Sequence, residues 1–215
     1  RVRRQRQMCI RVRVIDLVNP AGQPERMQLV VRGYNDGFAF CYKIPDGKGP
    51  RVNVQSELTA YNFAGDYTAW FYNGENHNIG PEKLTETDGT RLPVMTVKAG
   101  DKHYMAIHEA CLETGAPLVL QSKGGESLFS VASKPASLSP GYTSAWRVVM
   151  YGATPGVLTD SHLLELLNPD PDPRYDFSWV KPGLAVWDWR INGAVWDGFT
   201  YGMSYPSWVL SLIHI

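Results

Sequence analysis

Two short stretches of this sequence carry side chains whose types and spacing could do chemistry. The first is His108-Glu109, which ends a run whose alternation places Met105, Ile107 and Glu109 on one face of a strand. A carboxylate that follows two apolar neighbours on a core-facing side is costly to desolvate without a partner. The pattern leaves three explanations open: a divalent cation bound by Glu109, an arginine paired with it, or a strand end that emerges into solvent.

The second stretch is Trp187-Asp188-Trp189, which follows Lys181-Pro182-Gly183 and a short apolar run. A strand without polar alternation is typical of a parallel sheet buried on both faces. If the sheet is a (β/α)8 barrel, the end of this strand faces the active site. Indole rings present flat apolar faces that suit stacking on sugar rings. We therefore take Trp187, Asp188 and Trp189 as candidate substrate-binding residues.

The elements before this strand are predicted to be antiparallel and half buried. Short strand-like runs alternate with Asn-Gly, Asp-Gly and Gly-Gly turn signals, without intervening helices, which favours a large antiparallel β-sandwich. One of these runs, 53–61, is predicted as a single strand, and Glu57 within it is expected to be solvated. Residues 154–167 could form either a short helix or another strand. The predicted strands are 10–15, 27–32, 38–44, 53–61, 68–72, 93–97, 104–109, 118–121, 128–132 and 146–151.

The alternating prolines of 168–173 indicate a linker, because proline fixes an extended backbone and removes amide donors. The sequence thus predicts a mainly β fold. It divides into an N-terminal β-sandwich over 1–175, the truncated start of a (β/α)8 barrel over 176–209, and a tail over 210–215. That tail resembles translated adapter sequence, and we expect it to be non-native.

Composition limits the partners that this chain can have. Its 215 residues carry 21 basic and 21 acidic side chains, so no global charge attracts nucleic acid or anionic lipid. The arginines near the start could form a nucleic-acid arm, but a solvated strand face explains them better because no aromatic residue is interleaved. The three cysteines show neither a disulfide nor a zinc pattern. No apolar run is long enough to span a membrane, and no signal-peptide pattern is present.

Several blocks of the sequence, in the correct order, resemble glycoside hydrolase family 97. Tyr34-Asn35-Asp36-Gly37-Phe38-Ala39-Phe40-Cys41-Tyr42 is similar to its YxDGxAFRY block, although cysteine stands where the family usually has arginine. The matching later blocks are Ile107-His108-Glu109-Ala110-Cys111-Leu112, the run 143–156, and Ser178-Trp179-Val180-Lys181-Pro182-Gly183 followed by Trp187-Asp188-Trp189 and 198–203. The resemblance covers about residues 30 to 205.

The resemblance implies a β-sandwich packed on a catalytic (β/α)8 barrel that hydrolyses α-linked sugars, as an α-glucosidase or an α-galactosidase. It also implies an active-site Ca²⁺ partly held by a glutamate from the sandwich, which is Glu109 here. Ser130, Val131 and Ala132 are expected to border the sugar pocket. The catalytic carboxylates come from later barrel strands, so we expect this chain alone to be inactive.

The family contains both retaining and inverting members, and the sequence does not decide between them. Kinship implies an oligo- or polysaccharide substrate and a periplasmic or secreted location. The alternative function is that of a non-catalytic carbohydrate-binding β-sandwich.

Overall fold

The computed structural model describes residues 11–18, 21, 24–72, 78–181 and 183. Strands dominate this part of the chain, accompanied by a 3₁₀ turn at Leu84–Glu86 and two short helices, α1 (Pro155–Asp160) and α2 (Leu163–Leu167). The thirteen strands are β1 (Arg11–Val18), β2 (Pro24–Tyr34), β3 (Gly37–Lys43), β4 (Val52–Val54), β5 (Ala60–Asn62), β6 (Thr68–Tyr72), β7 (Ile79–Lys83), β8 (Asp88–Gly100), β9 (His103–Ala110), β10 (Leu120–Lys123), β11 (Leu128–Val131), β12 (Ala136–Leu138) and β13 (Trp146–Gly152).

Eleven of these strands form one antiparallel sheet in the order β1-β2-β3-β13-β9-β8-β10-β11-β5, with β6 and β7 attached beside β8. The strands β12 and β4 form a separate two-stranded sheet. Every pairing is antiparallel, as the hairpin signals predicted. At the β10–β11 hairpin, Gly124 and Gly125 adopt φ values of 70° and 72°, a conformation that side-chain-bearing residues rarely take.

The long strand β8 belongs to both layers of the sandwich. Its first residues, Asp88 to Arg91, pair with β10, whereas its later residues pair with β6 and β9. The sheet therefore folds over an apolar core between the layers, which buries side chains from both, including Phe71, Met95, Ile107 and Phe129. The predicted antiparallel β-sandwich is confirmed.

A second apolar cluster covers the opposite face of β3, β9 and β13. Alternation sends Trp146, Val148 and Met150 of β13 into this cluster. The sequence left this region open as helix or strand, and it forms two short helices: α2 closes over the cluster through buried Leu163 and Leu167, and α1 adds the partly buried Leu158. Pro155 begins α1, where its fixed φ suits the first helical turn. The central strands are thus packed on both faces, and this fixes their register.

One strand prediction is wrong, and two strands were not predicted. The run 53–61 forms two short strands, β4 and β5, in different sheets, with irregular backbone between them. The strand β7 contains Gly80-Pro81, and β12 is only three residues long, so neither carries a clear alternating pattern.

The chain divides into two compact units, the first ending at Asp170 and the second beginning at Pro171. In the described residues of the second unit, Asp172 pairs with Arg174 and Asp176 accepts hydrogen bonds from Ser178. Among the described residues, no helix has the length and hydropathy needed to cross a membrane. The predicted start of a barrel and the predicted tail lie outside the described residues, apart from 176–181 and 183.

Candidate functional site

Glu109 lies near the end of β9, directly opposite Arg147 of β13. Both residues fall on the face that carries Ile107 into the core between the two layers. The Glu109 carboxylate is half buried, and its Oε2 accepts a hydrogen bond from the backbone N–H of Leu118. Its Oε1 makes no hydrogen bond to any described residue. One oxygen is therefore held by the protein and the other remains available to a ligand.

Arg147 is the buried cation of this region, with only 2% of its surface exposed. Its guanidinium forks onto Glu57, with Nε 3.0 Å from Oε1 and Nη2 2.7 Å from Oε2. The third donor, Nη1, reaches the backbone oxygen of Ala116 at 3.3 Å. Bidentate arginine–carboxylate pairs of this kind are geometrically specific and strong. An arginine close to Glu109, one of the three explanations left open for that carboxylate, is thus present. Its hydrogen bonds are made to Glu57 and Ala116 instead of to Glu109.

The expectation that Glu57 is solvated is wrong. Glu57 lies in the irregular segment between β4 and β5, and its backbone N–H donates to the Ser133 hydroxyl at 2.7 Å. This anchoring turns its side chain inward, where only 15% of it is exposed. Glu57 is thereby the counter-ion that allows Arg147 to be buried.

Electrostatics in this region follow from burial and from that ion pair. Burial lowers the pKa of Arg147, but the hydrogen bonds and the charge of Glu57 outweigh it and raise the pKa, so the guanidinium stays charged. Burial also raises the pKa of the nearby Tyr61, an effect that the charge of Arg147 only partly offsets. The Tyr61 hydroxyl is buried without a hydrogen-bond partner among the described residues.

His108 points to the opposite face of β9 from Glu109. The structure places His108 half buried. Burial lowers the pKa of its imidazole, although the charge of Glu109 acts in the other direction. Its Nδ1 accepts the backbone N–H of Glu109 at 2.8 Å, which requires that nitrogen to be unprotonated.

A groove of about 690 Å³ opens beside the ion pair, within the size range of small-ligand sites. Its lining is mainly apolar and includes Tyr42, Tyr142, Pro117 and Ala132, with Glu57 as its carboxylate. Pro117 lines the groove and directly precedes Leu118, whose amide holds Glu109. The groove therefore adjoins the segment that binds Glu109.

The structure separates the other predicted site residues. Ala132 lines the groove. Val131 is buried in the core between the layers, and Ser130 is exposed on β11, where its hydroxyl donates to the Gln121 backbone oxygen at 3.3 Å. Trp187, Asp188 and Trp189 lie outside the described residues.

The donor set at Glu109 suits a calcium ion only in part. Ca²⁺ takes six to eight oxygen ligands, and a carboxylate with one available oxygen supplies one of them with charge. Among the described residues, no three His, Cys, Asp or Glu side chains cluster closely enough to hold a metal. Glu109 can therefore be one ligand of such an ion, whose remaining ligands would come from groups outside the described residues.

Comparison with known proteins identifies the family. The profile described as Glycosyl-hydrolase 97 N-terminal matches residues 3–169, most of this chain. The chain belongs to glycoside hydrolase family 97. The matched region is the N-terminal domain of that family and contains the whole arrangement of Glu57, Glu109 and Arg147.

Two relatives of this chain have named activities. A retaining alpha-galactosidase of Bacteroides thetaiotaomicron is 27% identical over an alignment of 220 positions, which covers 82% of this chain and 33% of the relative. A probable retaining alpha-galactosidase of Streptomyces bingchenggensis is 30% identical over 186 residues, covering 78% of this chain and 27% of that protein. The chain spans about a third of the length of these curated relatives.

Solved structures show the same fold. A family 97 enzyme from Pseudoalteromonas sp. strain K8, in complex with acarbose, superposes with a TM-score of 0.65 at 24% identity, over 80% of this chain and 27% of that one. A beta-arabinopyranosidase superposes less well, with a TM-score of 0.53 at 14% identity over 67% of this chain and 32% of that one. At these identities the likeness concerns the sandwich architecture alone.

Sequence reasoning missed the pairing of Glu57 with Arg147. Arg147 lies in the family-like block 143–156, but nothing local shows that its partner is 90 residues away. The available signal was the arginine itself, set between the apolar residues Trp146 and Val148 on a predicted strand. A cation in such a strand needs a carboxylate from elsewhere in the fold.

Proposed function

We propose that this chain is the N-terminal portion of a calcium-dependent glycoside hydrolase that acts on α-linked sugars, and that Glu109 contributes a ligand to its calcium ion. The observation that carries the proposal is the state of the Glu109 carboxylate. One oxygen is held by the Leu118 amide, and the other has no partner among the described residues. Membership of family 97 and the two relatives named as retaining alpha-galactosidases support the glycosidase activity.

The substrate is an α-linked oligo- or polysaccharide. The names of the relatives favour an α-galactoside. The Pseudoalteromonas enzyme was solved with acarbose and, as an E480Q variant, with panose, so α-glucosides are the second class to test. The catalytic acid and base belong to a barrel domain, and Trp187, Asp188 and Trp189 are the residues that we assign to its substrate site. Of Ser130, Val131 and Ala132, we keep only Ala132, which lines the groove, as a residue that borders the sugar pocket from the sandwich. The whole protein is periplasmic or secreted.

A bound calcium ion would polarise a sugar oxygen or orient the attacking water. The contribution of this chain is to present one charged oxygen at a fixed place. β9 sets the position of Glu109, the Leu118 amide holds its Oε2, and the apolar core behind it keeps water from the strand. A carboxylate held in this way loses little freedom when it binds a cation.

The experiment uses the protein that carries this domain together with its catalytic domain. Glu109→Gln removes the charge and keeps the shape, so we expect the calcium concentration for half-maximal α-galactosidase activity to rise at least about tenfold. Glu113→Gln is the matched control, because Glu113 is an exposed carboxylate four residues along the chain. An unchanged calcium titration for Glu109→Gln would remove Glu109 from the metal site.

The groove favours one alternative, a non-catalytic carbohydrate-binding sandwich. Its two tyrosines, Tyr42 and Tyr142, give it aromatic surface, and its size suits a small ligand. Titration calorimetry of the 215-residue chain with panose and with galacto-oligosaccharides separates the two functions. Binding that Tyr142→Ala abolishes and Glu109→Gln leaves unchanged would support the binding module, whereas no binding to the chain alone accords with the hydrolase.

A further inference from the structure

Arg147 and Glu109 are direct cross-strand neighbours, yet no hydrogen bond joins their side chains. Among the described residues, the hydrogen bonds of the Arg147 guanidinium all go to Glu57 and to the backbone oxygen of Ala116. The charge of Glu109 still acts on Arg147, since it helps to raise the pKa of the guanidinium. The two groups are therefore close, but any control of Glu109 by Arg147 has to pass through a third element.

That element is the segment of Ala116, Pro117 and Leu118. Arg147 Nη1 donates to the Ala116 oxygen at 3.3 Å, and the Leu118 N–H donates to Glu109 Oε2. The two contacts lie at the two ends of one three-residue stretch, whose middle residue is a conformationally restricted proline. Movement of the Ala116 carbonyl thus moves the amide that holds Glu109.

Packing contacts also fix the position of the Ala116–Leu118 segment. The Leu118 side chain is 1% exposed and packs in the core between the layers. Gly115, just before the segment, passes so close to the backbone of Ser144 and Ala145 that a Cβ would clash there. These contacts position the segment as a whole. The bond from Arg147 sets the position of its first carbonyl.

Glu57 is the first residue in a series of contacts that leads to Glu109, and we call this series the relay. Its two oxygens orient the guanidinium plane, and its own backbone is tied to Ser133. The contacts thus run from Glu57 to Arg147, to Ala116, along the chain to Leu118, and to Glu109. Removal of groups that hydrogen-bond to a metal ligand and orient it typically lowers metal affinity by about 10- to 100-fold.

We infer that Arg147, oriented by Glu57, is a positioning residue for the Glu109 carboxylate and acts on it through the Ala116–Leu118 segment. The inference rests on the proposed role of Glu109 as a calcium ligand. Glu57 and Arg147 do not themselves bind the ion. Their function is to hold one Glu109 oxygen so that the other is presented in a single direction.

The first test needs neither metal nor activity. In the 215-residue chain, Arg147→Lys keeps the charge but cannot fork onto Glu57 and also reach Ala116. We expect hydrogen exchange of the Leu118 amide to quicken at least about tenfold relative to that of Leu120, because the segment that holds it is loosened. Arg91→Lys is the matched control, since Arg91 also binds a carboxylate, Glu82, and backbone oxygens, but away from Glu109.

The second test measures calcium affinity, with terbium luminescence as a probe, in the protein that carries its catalytic domain. We expect Arg147→Lys to weaken binding by about 10- to 100-fold and Arg91→Lys to leave it unchanged. In the Glu109→Gln background, Arg147→Lys should have no further effect, because the ligand that it positions is gone. Glu57→Gln is the second variant and undergoes both tests, so that the inference is still decided if Arg147→Lys does not fold.

The outcomes distinguish this inference from the proposed function. If Glu109→Gln weakens metal binding and Arg147→Lys does not, the relay is refuted and the metal role of Glu109 stands. If Leu118 exchange in Arg147→Lys matches that in Arg91→Lys, the relay is also refuted. If Glu109→Gln leaves affinity unchanged while Leu118 exchange still quickens, the proposed function fails although the mechanical link exists.

Discussion

Truncation of Glu57 is the sharpest test of how this domain is held together. Arg147 is 2% exposed, and Glu57→Ala would leave its guanidinium with the Ala116 oxygen as its one acceptor among the described residues. Removing one partner of a buried ion pair costs about 3–5 kcal/mol. Because 15% of the Glu57 side chain is exposed, water can enter the vacated space, so we take the lower end, about 3 kcal/mol. At about 2–4 °C per kcal/mol for a chain of this size, the melting temperature should fall by about 6–12 °C.

The assay is urea unfolding followed by tryptophan fluorescence, with the slope of free energy against urea required to stay constant. Asp101→Ala serves as the control, because Asp101 forms an exposed pair with Lys98 at 3.9 Å, and its loss should change stability by no more than about 0.5 kcal/mol. In a double-mutant cycle, Glu57→Ala in the Arg147→Met background should lower the free energy of unfolding by far less than it does alone, because no cation is left unpaired. A loss below about 1 kcal/mol in the single variant would show that the pair behaves as a solvated surface pair and would refute this reasoning.

Three further predictions concern the packing around the same strands. Burial raises the pKa of the Cys41 thiol to about 11, so iodoacetamide at pH 8 should leave it unmodified in the folded chain and modify it after unfolding, as read by peptide mass spectrometry. Because the folded pKa exceeds the ordinary 9.0, the thiol contributes stability that is lost as the pH rises from about 9 to about 11, and Cys41→Ala should lack that loss of about 3 kcal/mol. Gly115→Ala would place a Cβ against backbone atoms of Ser144 and Ala145 and should destabilise the chain by about 2 kcal/mol in the same urea assay. Gly156→Ala on α1 meets only ordinary contacts, and more than a small change there would argue against the steric explanation.

The class of fold could be predicted from the sequence because antiparallel strands leave local signals. Alternation and Gly-containing turns located most of the long strands, and 68–72 coincides with β6. The division of 53–61 into β4 and β5 could not be predicted, because it depends on which distant strands each half meets. The residues of β4 pair with β12, whereas those of β5 pair with β11. Such pairing is a tertiary property that no window of local sequence contains.

The site was predicted only where one residue's own environment was informative. Glu109 stood out because two apolar neighbours precede it on the same face of its strand. Glu57 gave no such signal, since Gln55 and Thr59, two positions away on either side, are polar, and its burial depends on Arg147, far along the chain. The cost of burying Arg147 could be anticipated from β13, but the identity of its counter-ion could not.

The family-like blocks gain their meaning from the register of three neighbouring strands. The blocks 34–42, 107–112 and 143–150 supply β3, the end of β9 and β13, which lie side by side in the sheet. Trp146 is thereby placed opposite Ala110, and Arg147 opposite Glu109. A slip of one residue would turn Arg147 into the apolar cluster beneath the helices and Trp146 away from it. The ion pair with Glu57 opposes such a slip from one face, and the buried apolar side chains of β13 oppose it from the other. The interactions that stabilise the sandwich are therefore the same ones that keep the Glu109 carboxylate in place.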